Sequence, residues 1–328
     1  MPLPGTWLAF LPAKENGMRI LKVLLSVLLW VSVVFFLLPT DHYYLDLLQS
    51  FTFHAFLVYL FLTVLFALLR WRVVAVSGVS VCFLLLVHLL PHIHKSSSEE
   101  YQLYGQPFRV AHFNVLANNT SYEKSIRKAK HTDADLISFQ EVNMQWINQL
   151  IDKLESDYPY YAFVDGEYHG VAVFSRYPIK NVKSYYWTGE PTLTGDVQVE
   201  GQQVHFVTTH TLSPRSPERS RNRNQHLQKI TEYVSNVEGP VMAIGDFNTV
   251  PWSHPLTYLK ERAKLRDSRK SLAPTYPATY RLGIPIDYIL HSEELSCLRF
   301  DAVQAGGSDH KGVIGDYMFT GPEAGQTM

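Results

Sequence analysis

The chain has 328 residues, a formal net charge of −1 and two cysteines. Two cysteines are too few for a disulfide framework or a thiolate zinc site, and the near-neutral charge offers no strong positive field for duplex DNA. Residues 1–95 are rich in Leu, Val and Phe, whereas residues 96–328 carry most of the charged side chains. This contrast predicts a membrane anchor followed by one soluble domain.

The anchor contains three apolar stretches that are each long enough to cross the roughly 30 Å hydrocarbon core of a bilayer. They cover residues 20–38, 51–69 and 73–90. The first stretch is long and lacks a small-residue cleavage site, so an uncleaved anchor is a better interpretation than a signal peptide. We therefore expect three transmembrane helices within residues 1–95, a polar linker at 96–106 and a soluble domain at 107–328.

The distribution of basic residues predicts how the anchor is oriented. Lys and Arg lie before the first span and between the second and third, whereas residues 39–50 contain Asp41 and Asp46 but no Lys or Arg. Basic connections stay on the cytoplasmic side, and an odd number of spans then places the soluble domain on the opposite side. We expect a multi-pass protein of the plasma membrane, the inner membrane in a bacterium, with an extracytoplasmic soluble domain.

The soluble part alternates between short β-type runs and stretches with helical periodicity. The predicted strands cover residues 108–115, 136–141, 171–175, 192–200, 203–210, 241–245, 286–290 and 312–318, and the predicted helices cover 121–131, 143–154 and 216–237. Alternating apolar residues on both sides of Gly201 predict an antiparallel hairpin. This order of elements indicates a mixed α and β domain in which sheets pack on sheets and helices lie outside.

Several predicted strands end on polar side chains of complementary types. These residues are Asn114, Glu141, His210, Asp246 with Asn248, and Asp309 with His310. We expect them to converge in one cleft at the edge of the sheets. Asp246 and Asn248 are two residues apart, so their side chains point the same way.

Seven short blocks of the soluble part, in order, carry a resemblance to a known family. They are Phe113-Asn114-Val115, Ser138-Phe139-Gln140-Glu141-Val142, Tyr168-His169-Gly170-Val171, Thr208-Thr209-His210, Gly245-Asp246-Phe247-Asn248, Ile286-Asp287-Tyr288-Ile289-Leu290 and Ser308-Asp309-His310. The pattern resembles the endonuclease/exonuclease/phosphatase superfamily, which includes deoxyribonuclease I, abasic-site endonucleases, sphingomyelinases and inositol polyphosphate 5-phosphatases. The resemblance implies an α/β fold, a four-layer αββα sandwich of two mainly antiparallel sheets, here preceded by the three transmembrane helices.

The resemblance also implies roles for individual residues. The catalytic set is His210, Asp246, Asn248, Asp287 and His310, the metal-binding set is Asn114, Glu141 and Asp309, and Tyr168 contacts phosphate in some relatives. Asp246 is the expected base for the attacking water, and Asp287 is the expected partner of His310. A carboxylate neighbour is expected to keep His210 and His310 protonated at neutral pH. Oxygen ligands without a thiolate suit Mg²⁺ or Mn²⁺ better than zinc or copper.

Some assignments leave alternatives open. Tyr168 could equally be a core residue, and Asp287 a turn residue. Arg219 and Arg223 lie in a basic stretch after His210 that fits a second phosphate or an anionic headgroup, but a solvated helix face explains them as well. Several nucleases of the family carry an acid where this chain has Leu116, so the number of metal ions is open.

The favoured function is divalent-metal-dependent hydrolysis of a phosphoester or pyrophosphate bond in a phosphorylated lipid or lipid-linked substrate beside the membrane. The organisation resembles that of bacterial membrane members of the superfamily, including one that acts on a lipid pyrophosphate. A membrane-anchored nuclease is the enzymatic alternative, although the near-neutral charge does not favour nucleic acid as substrate. A non-catalytic binding module of the same fold is the other alternative, and no protein partner can be inferred from the sequence.

Overall fold

A computed structural model describes residues 10–93 and 102–321. The described residues form two compact units that meet between Pro91 and His92. Residues 96–101 of the expected linker lie outside the described residues, and its last residues, 103–106, belong to the first strand.

The first unit is helical. It contains α1 (Phe10–Leu37), α2 (Tyr43–Gln49), α3 (Thr52–Leu68) and α4 (Arg72–Leu89). Among the described residues, the segments Glu15–Leu37 and Arg72–His92 are each long and apolar enough to cross a membrane. The pair α2 and α3 qualifies only as one span bent by 61°.

The expected middle span, 51–69, is therefore a helix of 17 residues that follows a break, and three separate spans are not established. Gln49 is the last residue of α2 before this break. Its side-chain amide donates to the carbonyls of Phe35 and Leu38, at 2.9 and 2.7 Å, and so satisfies acceptors that the end of α1 leaves free. This contact holds the end of α2 against α1, and α3 starts in a new direction.

The second unit contains two six-stranded sheets. The strands are β1 (Leu103–Asn114), β2 (Leu136–Val142), β3 (Tyr160–Val164), β4 (Gly170–Ser175), β5 (Ile179–Trp187), β6 (Glu190–Val199), β7 (Gln202–His210), β8 (Val241–Asp246), β9 (Arg266–Asp267), β10 (Asp287–His291), β11 (Leu295–Gln304) and β12 (Lys311–Thr320). Sheet one has the order β11-β12-β1-β2-β4-β3, and sheet two the order β5-β6-β7-β8-β10-β9. Two pairs, β1 with β2 and β7 with β8, are parallel, and the other pairs are antiparallel.

Helices cover the outer face of each sheet. They are α5 (Tyr122–Lys130) and α6 (Met144–Leu154) on sheet one, and α7 (Pro217–Val234) and α8 (His254–Arg262) on sheet two. Apolar side chains of both sheets, such as Val171, Ile244 and Val313, form the core between them. The predicted αββα sandwich of mainly antiparallel sheets is confirmed.

All eight predicted strands and all three predicted soluble helices correspond to observed elements. The hairpin at Gly201 is also confirmed, because Val199 pairs with Gln202 and Gly201 has a φ of +84° that suits its turn. The elements that the sequence reading missed are β3, β5, β9, β11 and α8.

Candidate active site

The carboxyl ends of four central strands bring the main polar residues together. In sheet one, Asn114 at the end of β1 pairs with Gln140 of the parallel strand β2. In sheet two, His210 at the end of β7 pairs with Asp246 at the end of β8, again in parallel. Because parallel strands finish at the same edge, each sheet presents its polar residues to one cleft.

Asn114 connects the acids of the two sheets. Its amide Nδ2 donates to Glu141 Oε1 at 2.8 Å and to Asp246 Oδ2 at 3.3 Å. Its Oδ1 accepts a hydrogen bond from the backbone N–H of Leu116 at 3.1 Å. The amide nitrogen rather than the oxygen therefore faces the carboxylates, and in this arrangement Asn114 holds Glu141 in place.

Glu141 has the left-handed backbone conformation, with φ of +58°. It lies where the pairing of β2 with β4 is interrupted between Gln140 and Val142. This conformation is unfavourable for a residue with a side chain and is typical of functional sites. It turns the carboxylate toward the cleft, where the side chain is 17% exposed and Oε2 accepts from the backbone N–H of Ala117 at 3.3 Å.

Asn248 links His210 and Asp246. Its backbone N–H donates to Asp246 Oδ1 at 2.9 Å, and its Nδ2 lies 3.1 Å from His210 Nε2 and donates to the Thr211 carbonyl at 2.8 Å. The buried guanidinium of Arg223 donates to the Asn248 carbonyl at 2.9 Å. Asn248 also has a positive φ, +48°, and these contacts fix it there.

Asp287 lies between two histidines. Its Oδ2 is 3.0 Å from His310 Nδ1, and its Oδ1 is 3.0 Å from His112 Nε2. His310 Nε2 then lies 3.6 Å from Asp246 Oδ2. All four side chains are buried, so these groups interact with little screening by water.

The charges of these groups follow from burial and from their neighbours. Burial opposes the charge of His310, but Asp287 and Asp246 outweigh it and raise the pKa of His310 to about 10. Burial would raise the pKa of Asp287, but His310 and His112 outweigh it and hold that pKa below its usual range. Burial and the charge of Asp287 raise the pKa of Asp246 well above its usual range, against the opposing charge of His310.

His210 differs from His310. Burial, together with the charges of His169 and His310, lowers the pKa of His210 well below its usual value. The expectation that both histidines are protonated at neutral pH therefore holds for His310 and is wrong for His210. Of these two histidines, His310 is the one that offers a charged hydrogen-bond donor to a phosphate oxygen.

The remaining predicted residues lie around this centre. Asp309 is half-buried, and its Oδ1 is a buried atom with no hydrogen-bond partner among the described residues. Tyr168 is 49% exposed, which excludes the alternative that it is a core residue. Arg219 is half-buried with Nε donating to the Ser213 carbonyl at 3.0 Å, whereas Arg223 is 1% exposed and contacts the site from behind Asn248.

Several residues that contact the site were not singled out from the sequence. Gln140 accepts from the backbone N–H of Asp246 at 2.7 Å and donates to the Thr209 carbonyl, so it joins the two sheets. Arg269 donates to the Asp287 carbonyl at 2.8 Å. His112 lies two residues before Asn114 on the same strand face, and that spacing was the available signal.

The donors present fit a divalent cation that prefers oxygen ligands. Glu141 supplies a partly exposed carboxylate, and Asp309 supplies a buried oxygen without a hydrogen bond among the described residues. Ligand atoms of Asp246, Asp287 and His310 all lie within 4.8 Å of one another. However, both Asp287 oxygens already contact histidines, so we assign Asp287 to histidine support rather than to metal binding.

Comparison with known proteins gives three kinds of result. The model of the Endonuclease/Exonuclease/phosphatase family matches residues 111–310. A search of curated proteins gives no match. Similar solved structures include an endonuclease/exonuclease/phosphatase from Beutenbergia cavernae, with 20% identity over 66% of this chain and 72% of that chain and a TM-score of 0.58.

Two further similar structures are of the protein TDP2. Truncated TDP2 of Caenorhabditis elegans has 17% identity over 66% of this chain and 99% of that chain, with a TM-score of 0.54. TDP2 of D. rerio, complexed with a single-strand DNA product, has 14% identity over 65% of this chain and 99% of that chain, with a TM-score of 0.53. At these identities the likeness shows the fold alone.

The sandwich and its cleft of carboxylates, amides and histidines define a metal-dependent phosphoric ester hydrolase. The chain belongs to the Endonuclease/Exonuclease/phosphatase family, because the match over residues 111–310 covers more than half of its length.

Proposed function

We propose that this protein is a membrane phosphatase that hydrolyses a phosphoester or pyrophosphate bond in a phosphorylated lipid or lipid-linked substrate. The observation that carries the proposal is that one chain holds both the hydrolase domain and helices long and apolar enough to cross a membrane, Glu15–Leu37 and Arg72–His92. A tethered site meets lipid headgroups at a high effective concentration. If the bent pair α2 and α3 counts as one span, the basic flanks of the spans support a position of the domain on the extracytoplasmic face of the plasma membrane.

The residues of the cleft have complementary tasks in this reaction. Charged His310, whose Nδ1 is held by Asp287, donates from Nε2 to a phosphate oxygen as negative charge accumulates. Asn248 orients the attacking water, and Asp246 takes its proton while the water oxygen bonds to phosphorus. A Mg²⁺ or Mn²⁺ ion held by Glu141, with Asp309 as a further contact and Asn114 holding the Glu141 carboxylate in place, would neutralise phosphate charge and favour ionised Asp246.

Tyr168 and Arg219 are proposed to contact the substrate phosphates. Tyr168 is exposed just before β4, and Arg219 lies in the first turn of α7, the helix that follows the His210 loop. Arg223, by contrast, acts through its hydrogen bond to the Asn248 carbonyl. Its role in phosphate binding is therefore indirect.

A membrane-anchored nuclease is the second candidate. It is favoured by one observation, the similarity in fold to TDP2 solved with a single-strand DNA product. The net charge of −1 gives little attraction for a polymeric phosphate backbone. A non-catalytic binding module is not favoured, because Glu141, Asp246 and His310 are all present in one cleft.

The test is turnover by the full chain in detergent or vesicles, with Mg²⁺, Mn²⁺ or chelator. The substrates are a lipid pyrophosphate, a phosphodiester lipid and plasmid DNA. We expect metal-dependent turnover of a lipid substrate by the wild type and by the control Asp301→Ala, at a strand residue whose side chain is 44% exposed. We expect no turnover by Asp246→Ala or His310→Ala. Cleavage of plasmid alone would replace the phosphatase by the nuclease, and metal binding without any turnover would support the binding module.

A further inference from the structure

A second histidine–carboxylate pair lies beside the site and has no role in the chemistry described above. His169 Nδ1 is 2.5 Å from Glu190 Oε2. His169 immediately precedes β4 in sheet one, and Glu190 is the first residue of β6 in sheet two. The His169 ring packs edge-on against the ring of His210, with centroids 5.1 Å apart, so the pair borders the cleft.

The strand order places this pair opposite the Asp287–His310 pair. In sheet two, Glu190 on β6 and Asp287 on β10 are separated by β7 and β8, and in sheet one β4 and β12 are separated by β2 and β1. Three strand spacings correspond to about 14 Å. Asp246, the base for the attacking water, lies next to β10, so the His169 pair flanks the cleft on the side away from that base.

The contacts of His169 leave one ring nitrogen available. The side chains of His169 and Glu190 are 29% and 15% exposed. Burial alone would raise the pKa of Glu190, but the hydrogen bond and charge of His169 outweigh it and lower that pKa. An ionised carboxylate only accepts hydrogen bonds, so Nδ1 carries a proton, and Nε2 has no hydrogen-bond partner among the described residues.

We propose that His169, held by Glu190, is the proton donor to the leaving group. As the water oxygen bonds to phosphorus and its proton passes to Asp246, the bond from phosphorus to the leaving oxygen breaks. The leaving oxygen keeps the electron pair and takes a proton from Nε2 of the doubly protonated His169 ring, whose Nδ1 proton stays in the hydrogen bond to Glu190. Proton exchange with solvent restores both residues, so the net reaction is addition of one water across the bond.

The neighbouring His210 is poorly suited to this task. It is 5% exposed, burial favours its neutral form, and its Nε2 faces the Asn248 amide. His169 combines a carboxylate partner with exposure to the cleft, and in-line displacement needs an acid on the side opposite the base. The proposal rests on the hydrolase chemistry of this site, but not on the identity of the lipid substrate.

The test compares two phosphate esters that differ only in the leaving group, p-nitrophenol or a simple alcohol, with the full chain. A nitrophenolate leaves without a proton at neutral pH, whereas an alkoxide does not. We expect His169→Gln to lower kcat for the alkyl ester on the order of 10²-fold and kcat for the aryl ester by less than about fivefold. Glu190→Gln, which keeps the imidazole, is expected to lower kcat for the alkyl ester on the order of tenfold.

His205→Gln is the matched control. His205 Nδ1 is 2.7 Å from Asp196 Oδ1, so this pair has the same chemistry, and it joins β7 to β6, the strand that also carries Glu190. It is five residues before His210, about 16 Å along the strand, and we expect unchanged kinetics for both esters. Thermal unfolding of each variant separates loss of fold from loss of chemistry.

Equal loss on both esters, or a change confined to KM, would assign His169 to phosphate binding and overturn the proposal. Unchanged alkyl-ester hydrolysis in His169→Gln would also overturn it. If the wild type hydrolyses neither ester with any divalent cation, the hydrolase conclusion itself fails and the proposal fails with it. That outcome is distinct from one in which only the variants lose activity.

Discussion

His210 and His310 lie at similar distances from Asp246 Oδ2, 3.5 and 3.6 Å, yet they carry different charges. The difference lies at the other ring nitrogen. His310 Nδ1 faces the Asp287 carboxylate, whereas His210 Nδ1 is buried with no hydrogen-bond partner among the described residues. One neighbouring carboxylate thus decides which histidine meets the phosphate as a cation.

Buried His226 makes the fold sensitive to acid. Its Nε2 lies 2.8 Å from Thr192 Oγ1 and 3.2 Å from Thr209 Oγ1, and burial lowers its pKa from 6.5 to about 4. Because the folded pKa is below the unfolded one, its stabilising contribution is complete above pH 6.5 and is lost as pH falls toward 4. The expected loss of unfolding free energy across this window is about 3 kcal/mol.

The measurement is the apparent unfolding midpoint of the full chain in detergent between pH 7 and pH 4. His226→Gln removes the titrating group and should flatten this dependence, whereas His131→Gln at an exposed helix end should leave it unchanged. A wild-type pH dependence that persists in His226→Gln would show that another group is responsible.

Glu141 is the predicted centre of the metal site. Removing its charge in Glu141→Gln keeps the shape of the side chain but weakens attraction for a divalent cation. We expect Mn²⁺ affinity, measured by calorimetry on the full chain, to fall on the order of tenfold or more. Glu155→Gln, at an exposed helix end, serves as control, and equal affinity in both variants would place the metal elsewhere.

At the scale of the elements, the parallel pairing of β7 with β8 depends on Gly245. Its φ is +152°, and a Cβ there would lie 2.0 Å from the Thr209 carbonyl oxygen. The site residues His210 and Asp246 directly follow Thr209 and Gly245. Any separation of β7 from β8 therefore displaces both site residues.

Gly245→Ala is therefore expected to lower the unfolding free energy by about 3 kcal/mol or more and to abolish turnover. Gly239→Ala is the matched control, because Gly239 also has positive φ, +82°, but a Cβ there meets nothing within 4 Å. Gly239→Ala is expected to lower the unfolding free energy by about 1 kcal/mol, from the backbone conformation alone. Similar unfolding midpoints for the two variants would contradict this account of the strand contact.

The elements that sequence reading found and missed differ in burial. The predicted strand 241–245 is a continuous apolar run because both faces of β8 are covered. Strand β5 lies at the edge of sheet two with exposed Lys180 and Lys183, and its pattern gives no burial signal. Strand β11 lies at the edge of sheet one with exposed Arg299, and its pattern likewise gives no burial signal.

The site was predictable where polar residues end apolar strands, as Asn114, Glu141 and His210 do. His112 and Gln140 lie inside strands, where a polar side chain is easily taken for part of the core. Glu190 follows a turn, and its contact with His169 joins different sheets. No local pattern encodes how the two sheets pack on each other, so that pair could be identified only in the folded structure.

At the scale of the whole molecule, topology determines which substrates the site can meet. The native cysteines, Cys82 and Cys297, are buried and should not react with a maleimide. We expect Glu218→Cys, exposed in the first turn of α7, to react with a membrane-impermeant maleimide in intact cells. Leu69→Cys, exposed after α3, should react only after the membrane is permeabilised. The reverse pattern would place the hydrolase domain in the cytoplasm.

Hydrolysis of a phosphoester by the cleft between the two sheets, with a divalent cation, is tested most directly by Asp246→Asn. This change keeps the shape of the side chain and removes the base, so we expect kcat to fall about 10²- to 10⁴-fold while Mn²⁺ still binds and the unfolding midpoint does not drop. Wild-type turnover should stop when a chelator is added. Turnover that survives both the chelator and Asp246→Asn would contradict the assignment of this cleft as the active site.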